Sequence, residues 1–288
     1  MMSNVSRQAA RTRPSRVTSR TIADWLPVLP VVVLVIAALI GPLLVPFDPV
    51  RVVGPPTTSP SPIHWFGTDS SGMDVFSRCV AALRVDFAIA LVVTVLATLA
   101  GVLIGLVAGM CEPRPGIIGI TGRGLSRMLD LADAVPMVIV AMVVVAFVGA
   151  SPATLIIALS IILAPNPARM TRVEVLRVRH EAYLDAARIG GMSEFRLSIR
   201  HVLPNAALPA VENMSVVFGT SIVITAALGF LGVGLAPPTP EWGSMIARGT
   251  SDMISGRWWP ALFPAVFLAM AVASVAYTGG LLVERLRR

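Results

Sequence analysis

The chain has 288 residues, 55% of them hydrophobic and 14% charged, with a net charge of +7 and a mean hydropathy of +0.80. That balance excludes a soluble globular domain, in which about a quarter of residues are charged, and marks an integral membrane protein with room for roughly five to seven spans of about 20 residues. All 23 basic residues are arginine, so neither a P-loop phosphate site nor a Schiff-base lysine can be built, and the histidines and cysteines fall at no metal-ligand spacing. Any ATP chemistry therefore belongs to another chain, and no cofactor or metal is expected on this one.

Residues 1–24 carry Arg7, Arg11, Arg13, Arg16 and Arg20 against one acid, Asp24, which predicts a disordered basic cytoplasmic tail beside anionic lipid. Residues 25–46 are the first span. Its apolar run, Leu26 to Leu44, leads into Pro46, Phe47, Asp48 and Pro49 with no small-residue cleavage site, so it is not a removed signal. Residues 47–84, rich in Pro, Ser and Thr, predict an extracellular loop, and residues 85–288 a core with the remaining spans.

The second span, Phe87 to Cys111, repeats Gly101, Gly105 and Gly109 along one side, a pattern that lets a neighbouring helix approach closely. Cys79 and Cys111 fall on opposite membrane faces, so no intrachain disulfide is expected. Glu112 to Arg127 predicts a short polar loop. From Ala134 to Ala168 there is no charge; a turn at Gly149, Ala150, Ser151 and Pro152 divides this run into two spans if the third begins near Leu129. Asp130 and Asp133 then sit favourably at a helix N-terminus, a structural role ahead of a proton relay. Pro165 and Pro167 are expected to kink or end the fourth span.

A charged island follows. Val173, Leu176, Tyr183, Leu184 and Ala187 predict one face of a helix ending at Ile189, stopped by Gly190 and Gly191. Ser193 is placed to cap a second helix with Phe195, Ile199, Val202 and Leu203 on its apolar face, ended by Pro204. Periodicity alone fits an amphipathic pair on the membrane surface equally well. The fifth span runs roughly from Asn213 to Leu235, Glu241 to Arg257 predicts a second outer loop, and Pro260 to Val283 is the sixth span. Trp258 and Trp259 suit an interface belt. With both termini inside, inner segments hold 18 of the 23 arginines (five in the tail, three after span two, seven in the island, three at the end).

The run Asp185, Ala186, Ala187, Gly191, His201, Val202, Leu203 and Pro204 resembles the EAA loop of ABC-importer permease subunits, with Asp for the usual Glu and His201 where many members have Ile. The stretches His64 to Arg78 and Gly229 to Ile246 are similar to the dipeptide, oligopeptide and nickel branch of that family, Met73 replacing its usual Arg; the likeness spans roughly residues 60–285. The resemblance implies an all-α polytopic protein of six transmembrane helices with the type I importer permease fold, in the inner membrane of a bacterium. Its implied partners are a second, homologous permease chain in a heterodimer, one or two ATPase chains that hold ATP and Mg, and an extracytoplasmic substrate-binding protein; nucleic acid has no part.

On that resemblance, residues 171–210 form a coupling loop in which Tyr183, Asp185, Ala186, Ala187, Arg188, Gly191, Ser193, Phe195, Arg196, His201, Leu203 and Pro204 grip the ATPase. Gly67, Thr68, Asp69, Asp74, Arg78, Glu241 and Trp242 belong to loops that would face the binding protein. Polar residues inside spans, among them Thr94, Thr98, Ser160, Asn213, Ser215, Thr220, Ser221 and Thr225, could line a path for cargo or make interhelical hydrogen bonds. An uncharged lining suits short peptides, and also nickel chelates, glutathione or haem. No span carries a charge near the bilayer centre, where one costs about 3 kcal/mol and is usually kept to move ions. That leaves an external motor, with a passive channel or a membrane scaffold as the lesser readings; an embedded enzyme lacks clustered nucleophiles or ligands.

Overall fold

The computed structural model describes residues 29–286, with the side chains of Asp133 and residues 282–286 left out of the description. The basic tail, the side chains of Asp133 and Arg285, and Arg287 and Arg288 lie outside what is described. Every regular element among the described residues is a helix, joined by one isolated bridge between Thr68 and Asp74.

Helix α2 (Val75–Cys111, 37 residues) is the spine. At 1.5 Å per residue it is about 55 Å long, which puts Cys79 and Cys111 near opposite ends; both are free thiols. Asp74 starts it, its carboxylate accepting from the Ser77 amide at 2.8 Å, so the helix begins twelve residues before the expected span. α1 (Leu29–Leu44) packs along its first half, where Gly41 lies against Val80.

The polar stretch after α2 is folded rather than a loop: α3 (Gly116–Leu131) has Gly122 against the backbone of Glu112. Its Gly119, Gly122, Ser126 and Leu129 recur at helical spacing and are buried, a signal hidden by the glycines among them. α4 (Met137–Val148) starts eight residues later than the expected Leu129, after a 3-10 turn, and the following turn falls where Gly149 takes φ +98° and the Ser151 side chain caps α5 (Pro152–Leu163). α5 runs on into α6 (Pro165–Val178) as one 27-residue path. Pro165 and Pro167 do not end it, because they occupy the first turn of α6, where a missing N–H costs little, and the ring of Pro167 lies close against Gly101. The glycine stripe does what its spacing predicts: Gly101, Gly105 and Gly109 meet Ala164, Ala168 and Val175, giving the most extensive helix contact among the described residues.

α11 (Met214–Phe230) follows a 46° bend, and α13 (Trp259–Leu286) returns along it. Between them, residues expected as an outer loop form α12 (Trp242–Met253), packed on α13. Three helices are long and apolar enough to cross a membrane (Val75–Cys111, Pro152–Val178 and Trp259–Leu281), and a fourth crossing results if the bent pair Glu194–Glu212 and Met214–Phe230 is one span. α1 and α4 are apolar but shorter. Three successive cores sit along α2: one around Trp242 and Trp259 at the end we term the platform, one around Leu155, Leu159 and Leu228 in the middle, and one around Leu106, Val175 and Leu197 at the opposite, arm end.

Candidate functional site

The arm is the segment between α6 and α11. Its expected first helix is two: α6 stops at Val178, Arg179 to Glu181 form a corner, and α7 (Ala182–Ile189) carries Tyr183, Asp185, Ala186, Ala187 and Arg188. α7 closes through a tight set of backbone bonds, Gly190 to Ala186, Gly191 to Arg188 and Met192 to Ala187, each 3.0–3.1 Å. Gly191 has φ +82°, and a Cβ there would meet nothing within 4 Å, so glycine is needed for backbone conformation and not for space. Ser193 then accepts from the Arg196 amide and starts α8 (Glu194–Leu197).

The second helix does not bury the face its α-spacing predicts. Phe195 is 78% exposed and Ile199 is also exposed, whereas Leu197, Val202 and Ala206 are fully buried. The cause is a π-turn at Ser198–Val202, which places residues five apart on one side. Pro204 does not end the path either; it sits in the first turn of α9 (Leu203–Ala206), followed by α10 (Leu208–Glu212). Leu184, Leu197, Val202 and Ala206, with Leu203 at their edge, pack on Leu106, Met110, Val175 and Val178, fixing the arm to the ends of α2 and α6. Three apolar side chains point away from that anchor: Tyr183, Ile189 (89% exposed) and Phe195.

Charges brace the turn. Arg188 donates to Asp185 at 2.7 Å and to Glu194 at 3.0 Å, and Arg114 donates to Glu194 at 3.1 Å, so α7, α8 and the loop after α2 are tied across Gly191. Hydrogen bonding to Glu194 raises the basicity of Arg188; burial beside Arg188 lowers that of Arg179 in the same cleft of about 390 Å³. Each exposed pair contributes about 0–1 kcal/mol, so they orient the joint while the buried leucines hold it. Ala186 is exposed and Ala187 half-buried; Arg196 and Pro204 are exposed, and His201 is half-buried beside the Tyr183 ring. Glu194 and Arg114 were not among the site residues expected from the sequence. An acid in the first turn of α8 was the available signal for one, and nothing in Pro113–Arg114–Pro115 marks the other.

A second feature lies where α10 and α11 face α13: a groove of about 570 Å³ to which Asn213, Ser215 and Thr220 contribute beside Gly219, Gly279 and Gly280. Ser221 and Thr225, expected with them, are buried on the opposite face of α11 and do not line this groove.

Residues 101–288 match the model of the family described as binding-protein-dependent transport system inner membrane component. The chain belongs to this family. The permease is 32% identical over 253 residues to the di/tripeptide transport system permease protein DppC of Pseudomonas aeruginosa, covering 85% of this chain and 81% of that one. It is 33% identical over 220 residues to the glutathione transport system permease protein GsiD of Pectobacterium atrosepticum, with 76% and 71% covered. Among solved structures, an inward-facing form of the MetNI methionine ABC transporter aligns with TM-score 0.58 at 20% identity, over 74% of this chain and 98% of that chain, a likeness of fold.

In the permease, α3 is bolted to α6 beside the arm. Arg172 donates two bonds to Glu112, at 2.7 and 3.0 Å, and Ser126 donates a third at 2.9 Å. The Arg172 hydrogen bond holds the Glu112 carboxyl below its ordinary value of 4.5. Because the folded value is depressed, this stabilisation is present above that ordinary value and is lost as pH falls through the folded one. Arg172→Ala is expected to flatten this acid-side loss of stability, read as thermal unfolding in detergent between about pH 3 and 7.

The permease's platform residues are not where a partner-facing role would put them. Gly67, Thr68, Asp74, Arg78, Glu241 and Trp242 are buried, and Asp69 is half-buried. Arg78 donates to the carbonyls of Pro49 at 2.9 Å and Pro238 at 3.2 Å and pairs with Asp69 at 3.5 Å; Asp74 holds His64 at 3.0 Å. Glu241 caps α12 through the Gly243 and Ser244 amides, its carboxyl pushed up by burial, while the Trp242 ring donates to the Cys79 carbonyl at 3.1 Å. The Trp259 ring donates to Thr68 at 3.2 Å and covers Gly67, whose φ is +71°. These polar side chains pin the platform's connecting segments beside the apolar core around Trp242 and Trp259.

Proposed function

We propose that this chain is the membrane-spanning subunit of an ATP-driven importer of di- and oligopeptides, in a bacterial inner membrane, and that its arm seats on a separate ATPase. The observation that carries the reading is the build of the arm: two short helices, α7 and α8, locked behind by Leu184, Leu197 and Val202 and offering Ile189 and Phe195 to solvent. Swinging a two-state permease from 1:99 to 99:1 takes about 5.5 kcal/mol of differential binding, which surface ion pairs do not supply and a packed helix in a partner's groove does.

The arginine distribution supports both termini on the arm side and the platform outside, and α1 and α4 complete six crossings if they too span the bilayer. The α11–α13 groove is then the place for a homologous permease chain and for the cargo path, with Asn213, Ser215 and Thr220 beside it. A substrate-binding protein would meet the platform on its exposed Trp65 and Ile254 rather than on its buried charges. Peptide cargo rests on the names of the relatives, and glutathione is itself a tripeptide. The test is uptake of labelled dipeptide by the reconstituted complex: competition by unlabelled di- and tripeptides is expected, and competition by glutathione, nickel chelate or haem alone would reassign the cargo.

A further inference from the structure

A second concavity, of about 490 Å³, opens sideways between α1, α2, α11 and α13 near the platform. Its walls are apolar, with Val31, Leu39, Phe87, Leu91 and Phe218 among them. The Thr94 hydroxyl in its wall is already donated to the Ala90 carbonyl at 2.7 Å. The one charged side chain lining it is Arg84, which is exposed and has no hydrogen bond or ion pair among the described residues.

Position gives that arginine meaning. α2 carries no charge from Phe87 to Cys111, about 37 Å of helix. A hydrocarbon core of about 30 Å fits only within that stretch, which sets Arg84 at head-group level. From Arg84 the groove runs inward to Thr94, ten residues or about 15 Å along the helix, the depth of a single leaflet.

We infer that this groove holds one acyl chain of a phospholipid from the platform-side leaflet, with an anionic head group seated on Arg84. An apolar slot one leaflet deep, ending in an unpaired cation at the level of the phosphates, matches a lipid in length, polarity and charge together. The lipid would fill the seam that joins α1 to the rest of the bundle, where packing is otherwise incomplete.

The test is native mass spectrometry of the assembled transporter after detergent exchange, with phosphatidylglycerol or phosphatidylcholine added back. Wild type is expected to keep one phosphatidylglycerol per permease chain, about fivefold in preference to phosphatidylcholine. Arg84→Gln should bring that preference close to one while still holding a chain, and Ala88→Phe, which fills the groove from α2, should lose both lipids. Co-elution with the ATPase checks that each variant is assembled. Retention of neither lipid by wild type, no head-group preference, an unchanged preference in Arg84→Gln, or undiminished retention in Ala88→Phe overturns the proposal. Lipid retention is read without transport, so either reading can fail alone.

Discussion

Gly105→Leu is expected to leave no assembled permease in the membrane. A Cβ at Gly105 would sit 2.3 Å from the Ala168 carbonyl oxygen and 2.8 Å from the Thr171 Cβ, and the neighbouring glycines of the stripe are as tightly met, Gly101 by Pro167 at 2.6 Å and Gly109 by Val175 at 2.6 Å. The atoms in the way are backbone or stiff side chain, so α2 and α6 must move apart along their whole seam. Overpacking of this kind costs about 3 kcal/mol or more, a large part of a domain's stability. The readout is the monodisperse peak in size-exclusion chromatography and its thermal midpoint, both expected to be lost. Gly124→Ala, at a helical glycine with nothing within 4 Å of its Cβ, should leave both unchanged or slightly improved. A normal peak for Gly105→Leu would mean that the close α2–α6 approach does not hold the bundle together.

Gly191→Val should leave the bundle folded and disconnect it. At φ +82° a side chain costs about 1–2 kcal/mol, and more when β-branched. The chain can relieve that strain by abandoning the turn, which breaks the Arg188–Glu194 bond and swings α7 away from α8. Because no neighbour lies within 4 Å of the Cβ position, the defect stays local to the arm. Co-purification of the ATPase is expected to fall at least about tenfold, the equivalent of 1.4 kcal/mol, with transport falling alongside and membrane insertion preserved. Gly191→Asn, which enters the left-handed region more readily, should keep most of both. Full ATPase binding and transport by Gly191→Val would remove the coupling role from this turn.

The parts of this structure legible in the sequence are those where one residue type has one physical use. Glycine every four residues in an apolar run has to face another helix, and Gly101, Gly105 and Gly109 do. Gly191 and Ser193 likewise announced a stop and a cap, and the structure has both. Proline misled for the converse reason: Pro165, Pro167 and Pro204 all sit in first turns of helices that follow directly on others, a place where the residue is neutral, and no local pattern separates that use from termination. The π-turn at Ser198–Val202 defeated the amphipathic reading of the arm by shifting the phase one residue, so that Phe195 and Ile199 came out and Leu197 went in.

The burial of the platform's polar side chains was not legible either. Charged residues in a Pro- and Ser-rich stretch usually face water, yet Arg78 is spent on backbone carbonyls 29 and 160 positions away, Asp74 on a histidine ten positions back, and Glu241 on capping the helix that follows it. Glu112 and Arg172, 60 positions apart, escaped notice for the same reason.

The most direct test of force delivered from outside is accumulation of labelled dipeptide in proteoliposomes holding the purified chain alone, or the chain with the proposed second permease, ATPase and binding protein, with and without ATP on the arm side. The account predicts no uphill accumulation by the chain alone and accumulation by the full complex only with ATP; concentration of the dipeptide by the single chain would contradict it.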